Sequence, residues 1–234
     1  MIQGSVLATL DIHPQAMIYY KEALKLNQQQ QQLKEPYNVT FGLIERADIL
    51  MGMGNYSQSL NIIQQVLKTH PTDEDALATA GVLELYLKKD TDALIIFDKL
   101  LATHQKLSDV LDNKGLALAH LGFKQQALKL FQRAIALNPN DVYALYNRGL
   151  VLHKMGNLTE AIISYIQALK LTPDNTDVLY NKRLALIGIA LRTHSLSDLR
   201  AALECFNNVV MIDPTDKDAL HNKTILTWVL AKYG

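Results

Sequence analysis

The fold class this sequence predicts is all-α: a solenoid of stacked antiparallel helix pairs. Three observations predict it. First, residues of the same kind recur every 34 positions: Gly81, Gly115 and Gly149; Ala93, Ala127 and Ala161; Ile63, Phe97, Phe131 and Tyr165. Second, the apolar spacing inside each interval is helical. Leu145, Gly149 and Leu152 fall at i, i+4 and i+7, and Ile162, Tyr165, Ala168 and Leu169 resume the 3.6-residue rhythm after a break. Third, the breaks carry helix punctuation. Gly156 suits the left-handed residue that closes a helix, and Pro139 and Pro173 follow the second helix, where a stop is expected. No alternating strand pattern or Asn-Gly hairpin competes.

Taken in order, residues 1–39 read as a partial N-terminal repeat that keeps mainly its second helix, with Ala16, Tyr20 and Ala23 in phase. Ala16 and Ser59 are 43 apart, so nine residues are inserted, including Gln28–Gln32. Glutamine is a fair helix former, and the run reads either as an extended helix or as a loop. Residues 40–73 form a repeat in which Ser59 replaces the alanine of the other units, and residues 74–107 one in which Gln105 stands for the terminal proline. Residues 108–141 and 142–175 are the most regular. Residues 176–216 carry seven extra residues, since Pro173 and Pro214 are 41 apart, and these lengthen the hairpin around "LRTHSLSD". Residues 217–234 close the array as a lone capping helix, unusually apolar at Trp228, Val229 and Leu230. The stretches "PTDEDAL", "PNDVYAL" and "PTDKDAL" each offer Asp or Thr to cap the next unit, and Asn157 with Glu160 reads as a capping box. The whole is expected to form one solenoid domain.

The small residues have a physical reason. Two helices in a hairpin approach closely only where bulky side chains are missing at the crossing. Gly149 and Ala161 are placed to occupy that crossing, Tyr165 to fill the space beside it, and Ala168 to let the next unit's first helix settle. A single hairpin cannot bury both of its faces, so stacked neighbours supply the core.

Composition sets bounds on function. Apolar residues are 49% of the chain and charged residues 20%, enough for a substantial core. The 23 basic side chains match the 23 acidic ones, which gives no electrostatic ground for nucleic-acid or anionic-membrane binding. Residues 1–117 hold ten basic against fourteen acidic side chains, and the rest thirteen against nine. Cys205 is the single cysteine, so neither a disulfide framework nor a cysteine-rich metal cluster is expected. The opening "MIQGSVLATLDIHP" lacks a charged leader with a long apolar core, and "LALIGIAL" at Leu184–Leu191 is far shorter than a membrane span. The expectation is a soluble, cytoplasmic protein without membrane insertion; a fragment of a longer protein would read the same.

Searching for catalytic constellations gives no enzyme. "GMGN" at Gly52–Asn55 falls at a hairpin turn and lacks the Lys-Ser/Thr of a phosphate loop. No His-Glu-x-x-His or Gly-x-Ser-x-Gly is present. Cys205, with His194 eleven residues upstream, reads as structural rather than nucleophilic. His120 and His153 sit where neighbouring first helices could bring them together, but two histidines without a third ligand are weak grounds for a metal. No cofactor and no metal are expected.

Phased glycine, alanine, aromatic and proline positions over nearly the whole chain resemble the tetratricopeptide repeat family. That resemblance implies a right-handed superhelix whose first helices line a concave groove, and a role in binding extended or helical peptides there. The groove set it implies is Asn113, Asn147 and Asn181, 34 apart, then Asn222 after 41; Tyr143, Tyr146 and Tyr180; and Leu116, Leu150 and Leu184. A side-chain amide offers both donor and acceptor, so a row of amides can pair with successive peptide groups. The row is similar to the asparagine ladder of the O-linked N-acetylglucosamine transferases, and Glu45 and Thr79 interrupt it in the earlier units. Two readings stand: ligand contact, or a repeat position that favours asparagine irrespective of ligand. The two-carboxylate clamp of chaperone adaptors does not fit, because Asp112, Leu116 and Asp177 occupy its flanks. Glu45, Asp48, Asp75, Asp109 and Asp218 on the same face would repel an acidic tail, so the expected partner is a neutral or basic peptide. Self-assembly through the C-terminal helix at Trp228, and a targeting portion of a larger protein or enzyme, are the alternatives.

Overall fold

A computed structural model describes residues 21, 25, 39–103, 107–193, 195–212, 214–215 and 217–233. The expectations for Ala16, Tyr20, Ala23, Gln28–Gln32, Gln105, His194 and the Asp216 cap lie outside the described residues, as do those for the side chains of Cys205 and Asp218. Every element with complete bounds is a helix, and no strand occurs among the described residues. None of the described helices is long and apolar enough to cross a membrane.

The chain forms two compact units, Met1–Leu121 and Gly122–Gly234. The first holds α1 (Val39–Gly52), α2 (Tyr56–Thr69), α3 (Glu74–Tyr86), α4 (Asp90–Thr103) and α5 (Ser108–His120). Each helix packs on the next, and α3 also touches α1 and α5, so first helices lie side by side while second helices back them. The second unit holds α6 (Lys124–Leu137), α7 (Val142–Lys154), α8 (Leu158–Leu171), α9 (Thr176–Thr193), α10 (Leu196–Ile212) and α11 (Lys217–Tyr233). Packing again runs from each helix to the next, with α7 also against α9. The longer α9 and α10 absorb residues of the sixth hairpin into helix.

The crossing residues act as their period suggests. A methyl group on Gly81 would fall on the Phe97 ring, and one on Gly149 on the Tyr165 ring. Phe97, Tyr165 and Phe206 are fully buried at the repeating aromatic position. Close packing of this kind leaves no slack for one extra carbon. In the unit where serine replaces alanine, the buried Ser59 Oγ donates to the Ala47 carbonyl at 2.6 Å, so α2 is bonded to the backbone of α1 where other hairpins rely on apolar contact. Leu77, Leu85, Ala93, Phe97, Leu100 and Val110 continue the first unit's core, and Leu179, Leu186, Ala202, Phe206 and Leu226 anchor the second.

Hairpin turns and caps follow local chemistry. Gly54 and Gly156 adopt positive φ, as a left-handed helix end requires, and Lys88 takes the same conformation at the equivalent position, with φ 61°. Asp73 caps α3 through Ala76 N at 2.9 Å, and Asp141 caps α7 through Tyr143 N and Ala144 N. The expected box at Asn157 and Glu160 is not formed. Asn157 precedes α8, but its side chain makes no cap bond, and backbone bonds of the Gly156 turn close the preceding helix instead.

Candidate functional site

Caps set the register of the first-helix face. The Asp141 bonds fix the start of α7, and Asn175 Oδ1 accepts from Val178 N at 3.1 Å to fix α9. With the starts fixed, Asn147 and Asn181 fall at the same point of two helices that pack side by side. Their surroundings nevertheless differ. Asn147 is only 3% exposed and Tyr146 is buried beside it. Asn181 is partly exposed, and its Nδ2 donates both to Tyr146 Oη and to the Asp177 carbonyl, each at 2.9 Å. One of these bonds joins α9 to α7, and the other stays within α9. Burial, followed by the nearby Asp177 charge, pushes the Tyr146 hydroxyl above the ordinary tyrosine range, so it stays protonated and neutral.

The structure sorts the remaining sequence-predicted residues by exposure. Tyr143, Leu150, Tyr180, Leu184 and Asn222 are partly exposed in the second unit. In the first unit Asn113 is partly exposed and Leu116 is buried in the core. On α11, Ile225 and Trp228 are exposed, Trp228 at 59%, with the Lys232 ammonium 4.9 Å from its ring centre. The second unit thus offers aromatic and aliphatic side chains beside a part-committed amide.

Electrostatics distinguish the first unit. Burial raises the Asp48 carboxyl to about 6, and the charges of Asp75 and Glu45 add to the effect. Asp48 Oδ1 is buried without a hydrogen-bond partner among the described residues. Asp75 on α3 thus acts on Asp48 of α1 across the contact between the two helices. His120, the histidine considered for a metal, has Nδ1 2.7 Å from Asp90 Oδ1, and no group of three metal-ligating side chains occurs among the described residues.

Sequence reasoning missed Arg183. It stands 34 residues after Gly149, at the crossing position, and it is fully buried. Its guanidinium lies 3.1 Å from the centre of the Phe206 ring and 4.2 Å from that of Tyr180. A planar cation over two aromatic rings replaces the glycine that meets the ring directly in the other units, and it ties Tyr180 to the hairpin core. The signal was available as a break in the glycine series.

Comparison with known proteins places this architecture. The tetratricopeptide repeat profile matches residues 44–107 and 113–176, more than half of the chain. Among solved structures, TTC0263, a thermophilic tetratricopeptide protein of Thermus thermophilus, has 22% identity and a TM-score of 0.66, over 81% of this chain and 99% of its own. YrrB, described as having an unusual peptide-binding site, has 23% identity and a TM-score of 0.57, over 88% and 97%. MamA from Desulfovibrio magneticus RS-1 has 19% identity and a TM-score of 0.61, over 77% and 98%. At these identities the likeness is one of fold. Among curated protein sequences, none matches.

Proposed function

The chain belongs to the tetratricopeptide repeat family, and from that premise we propose that it is a non-enzymatic protein-interaction scaffold holding an extended, neutral or basic peptide on its first-helix face. The observation that carries this reading is the side-by-side packing of α7 and α9. It joins Asn181 to Tyr146, with Tyr143 and Leu150 on α7 and Leu184 on α9 partly exposed. Apolar and aromatic surface with a few fixed polar groups is what peptide recognition uses. The solved fold of YrrB, described with a peptide-binding site of its own, adds support by analogy. The acidic trio of Glu45, Asp48 and Asp75 favours neutral or basic ligands where the first unit takes part.

The test is a selection of peptides from a random display library on the whole chain, followed by affinity measurements. Selected peptides are expected to be neutral or basic, and Tyr143→Ser with Asn181→Ala should weaken them about tenfold, the effect of removing about 1.4 kcal/mol of contact. Equal affinity for the wild type and a correctly folded double variant would sink the reading.

A further inference from the structure

One position of the repeat carries a cation in four consecutive units: Lys114, Arg148, Lys182 and Lys223, spaced 34, 34 and 41 apart. In the first unit its role is visible. Lys114 Nζ, on first helix α5, forms an ion pair with Asp98 on α4, the second helix of the preceding repeat. Adding the same intervals to Asp98 gives Gln132, Ile166 and Asn207. None of these is acidic. Arg148, Lys182 and Lys223 are each partly exposed, and none has an ion pair among the described residues. In the second unit the chain thus keeps the cations and omits their carboxylates. That unit carries thirteen basic against nine acidic side chains, so no general acidity offsets them.

We infer that this edge of the second unit binds an extended acidic segment of a partner protein, whose carboxylates take the place that Asp98 holds for Lys114. The spacing fits. α7 and α9 pack side by side; packed helices lie about 8–10 Å apart and three residues of polyproline-type chain advance about 9 Å, so acidic residues three apart span Arg148 and Lys182, and the same step carried on along the repeat is taken to reach Lys223. Arg148, Lys182 and Lys223 each follow the asparagine of the groove row by one residue, about 100° further round the helix, so this edge is distinct from the proposed groove. Charge complementarity rather than apolar contact is the basis of recognition.

The experiment uses fluorescein-labelled Glu-Ser-Pro-Glu-Ser-Pro-Glu with the full chain, read by anisotropy at low salt. The comparison peptide has the same composition with its three glutamates contiguous. The spaced peptide is expected to bind the more tightly. The Arg148→Gln, Lys182→Gln, Lys223→Gln variant should weaken it about tenfold. A second variant, Gln132→Asp, Ile166→Asp, Asn207→Asp, keeps all three cations but supplies their carboxylates from within, and it should weaken binding to the same degree. Circular dichroism checks that both remain helical. The groove variant Tyr143→Ser, Asn181→Ala should bind the acidic peptide normally, so failure here and failure of the groove reading are separable. Equal binding of the two peptides, undiminished binding by either folded triple variant, or tighter binding of an equally charged single-stranded oligonucleotide or anionic vesicle would overturn the inference.

Discussion

Lys88 shows how strongly the hairpin turn is specified. Gly54, Gly122 and Gly156 all take positive φ at this point of their repeats, and Lys88 is forced into the same conformation with a side chain attached. A left-handed L-residue is disfavoured by about 1–2 kcal/mol, and glycine returns part of that gain through its larger unfolded-state freedom. Lys88→Gly should therefore stabilise the chain by about 0.5–1 kcal/mol, read as a higher urea midpoint with an unchanged slope. An equal or lower midpoint would mean that the turn is not held where the register puts it. Arg183 is the opposite case. There the register's small residue is replaced by a large one, and the rings of Phe206 and Tyr180 accommodate it. The sequence displays that substitution openly, but not its resolution, because which rings receive the cation depends on the spacing of two helices rather than on any local pattern.

Between elements, the contact of α1 with α3 carries the clearest electrostatic consequence. Asp48 titrates near 6 in the folded chain against an ordinary 3.8, chiefly through burial and then through Asp75 and Glu45. An unfolded chain gives up this proton first as pH rises, so the folded state binds more protons between about pH 4 and 6. Stability therefore falls as pH rises through that window and stays lower above it. Because the carboxyl is partly solvated, the expected size is about 1–2 kcal/mol rather than the full shift. Asp48→Asn should stabilise the chain by about that amount at pH 7.5 and by almost nothing at pH 4, in paired urea titrations. A variant whose advantage does not change with pH would contradict the assignment. Helix pairing itself was legible because close crossings tolerate few residue types: Gly81 and Gly149 have room for nothing larger. Caps were legible where an Asp stood before the helix, as at Asp73 and Asp141. They were misread at Asn157, where the backbone of the glycine turn took over.

Across the whole molecule, periodicity gave away the architecture because stacking makes each unit repeat the constraints of its neighbour. The candidate site was less legible for the same reason. Asn113, Asn147 and Asn181 are equivalent in sequence, yet Asn147 is buried while Asn181 is partly exposed and bonded to Tyr146. Exposure depends on what the next helix places alongside, and a repeat pattern averages that away. Leu116 joins the core of the first unit while Leu150 and Leu184 face partly outward. The lateral cations were legible as residues, but their meaning came only from the one pair, Lys114 and Asp98, that the chain completes for itself. Most direct of all is photocrosslinking with a selected peptide that carries a benzophenone at its centre, followed by mapping of the adducts. Adducts at Tyr143, Leu150 and Leu184 on α7 and α9 are the predicted result, and adducts confined to the second helices α8 and α10 would contradict it.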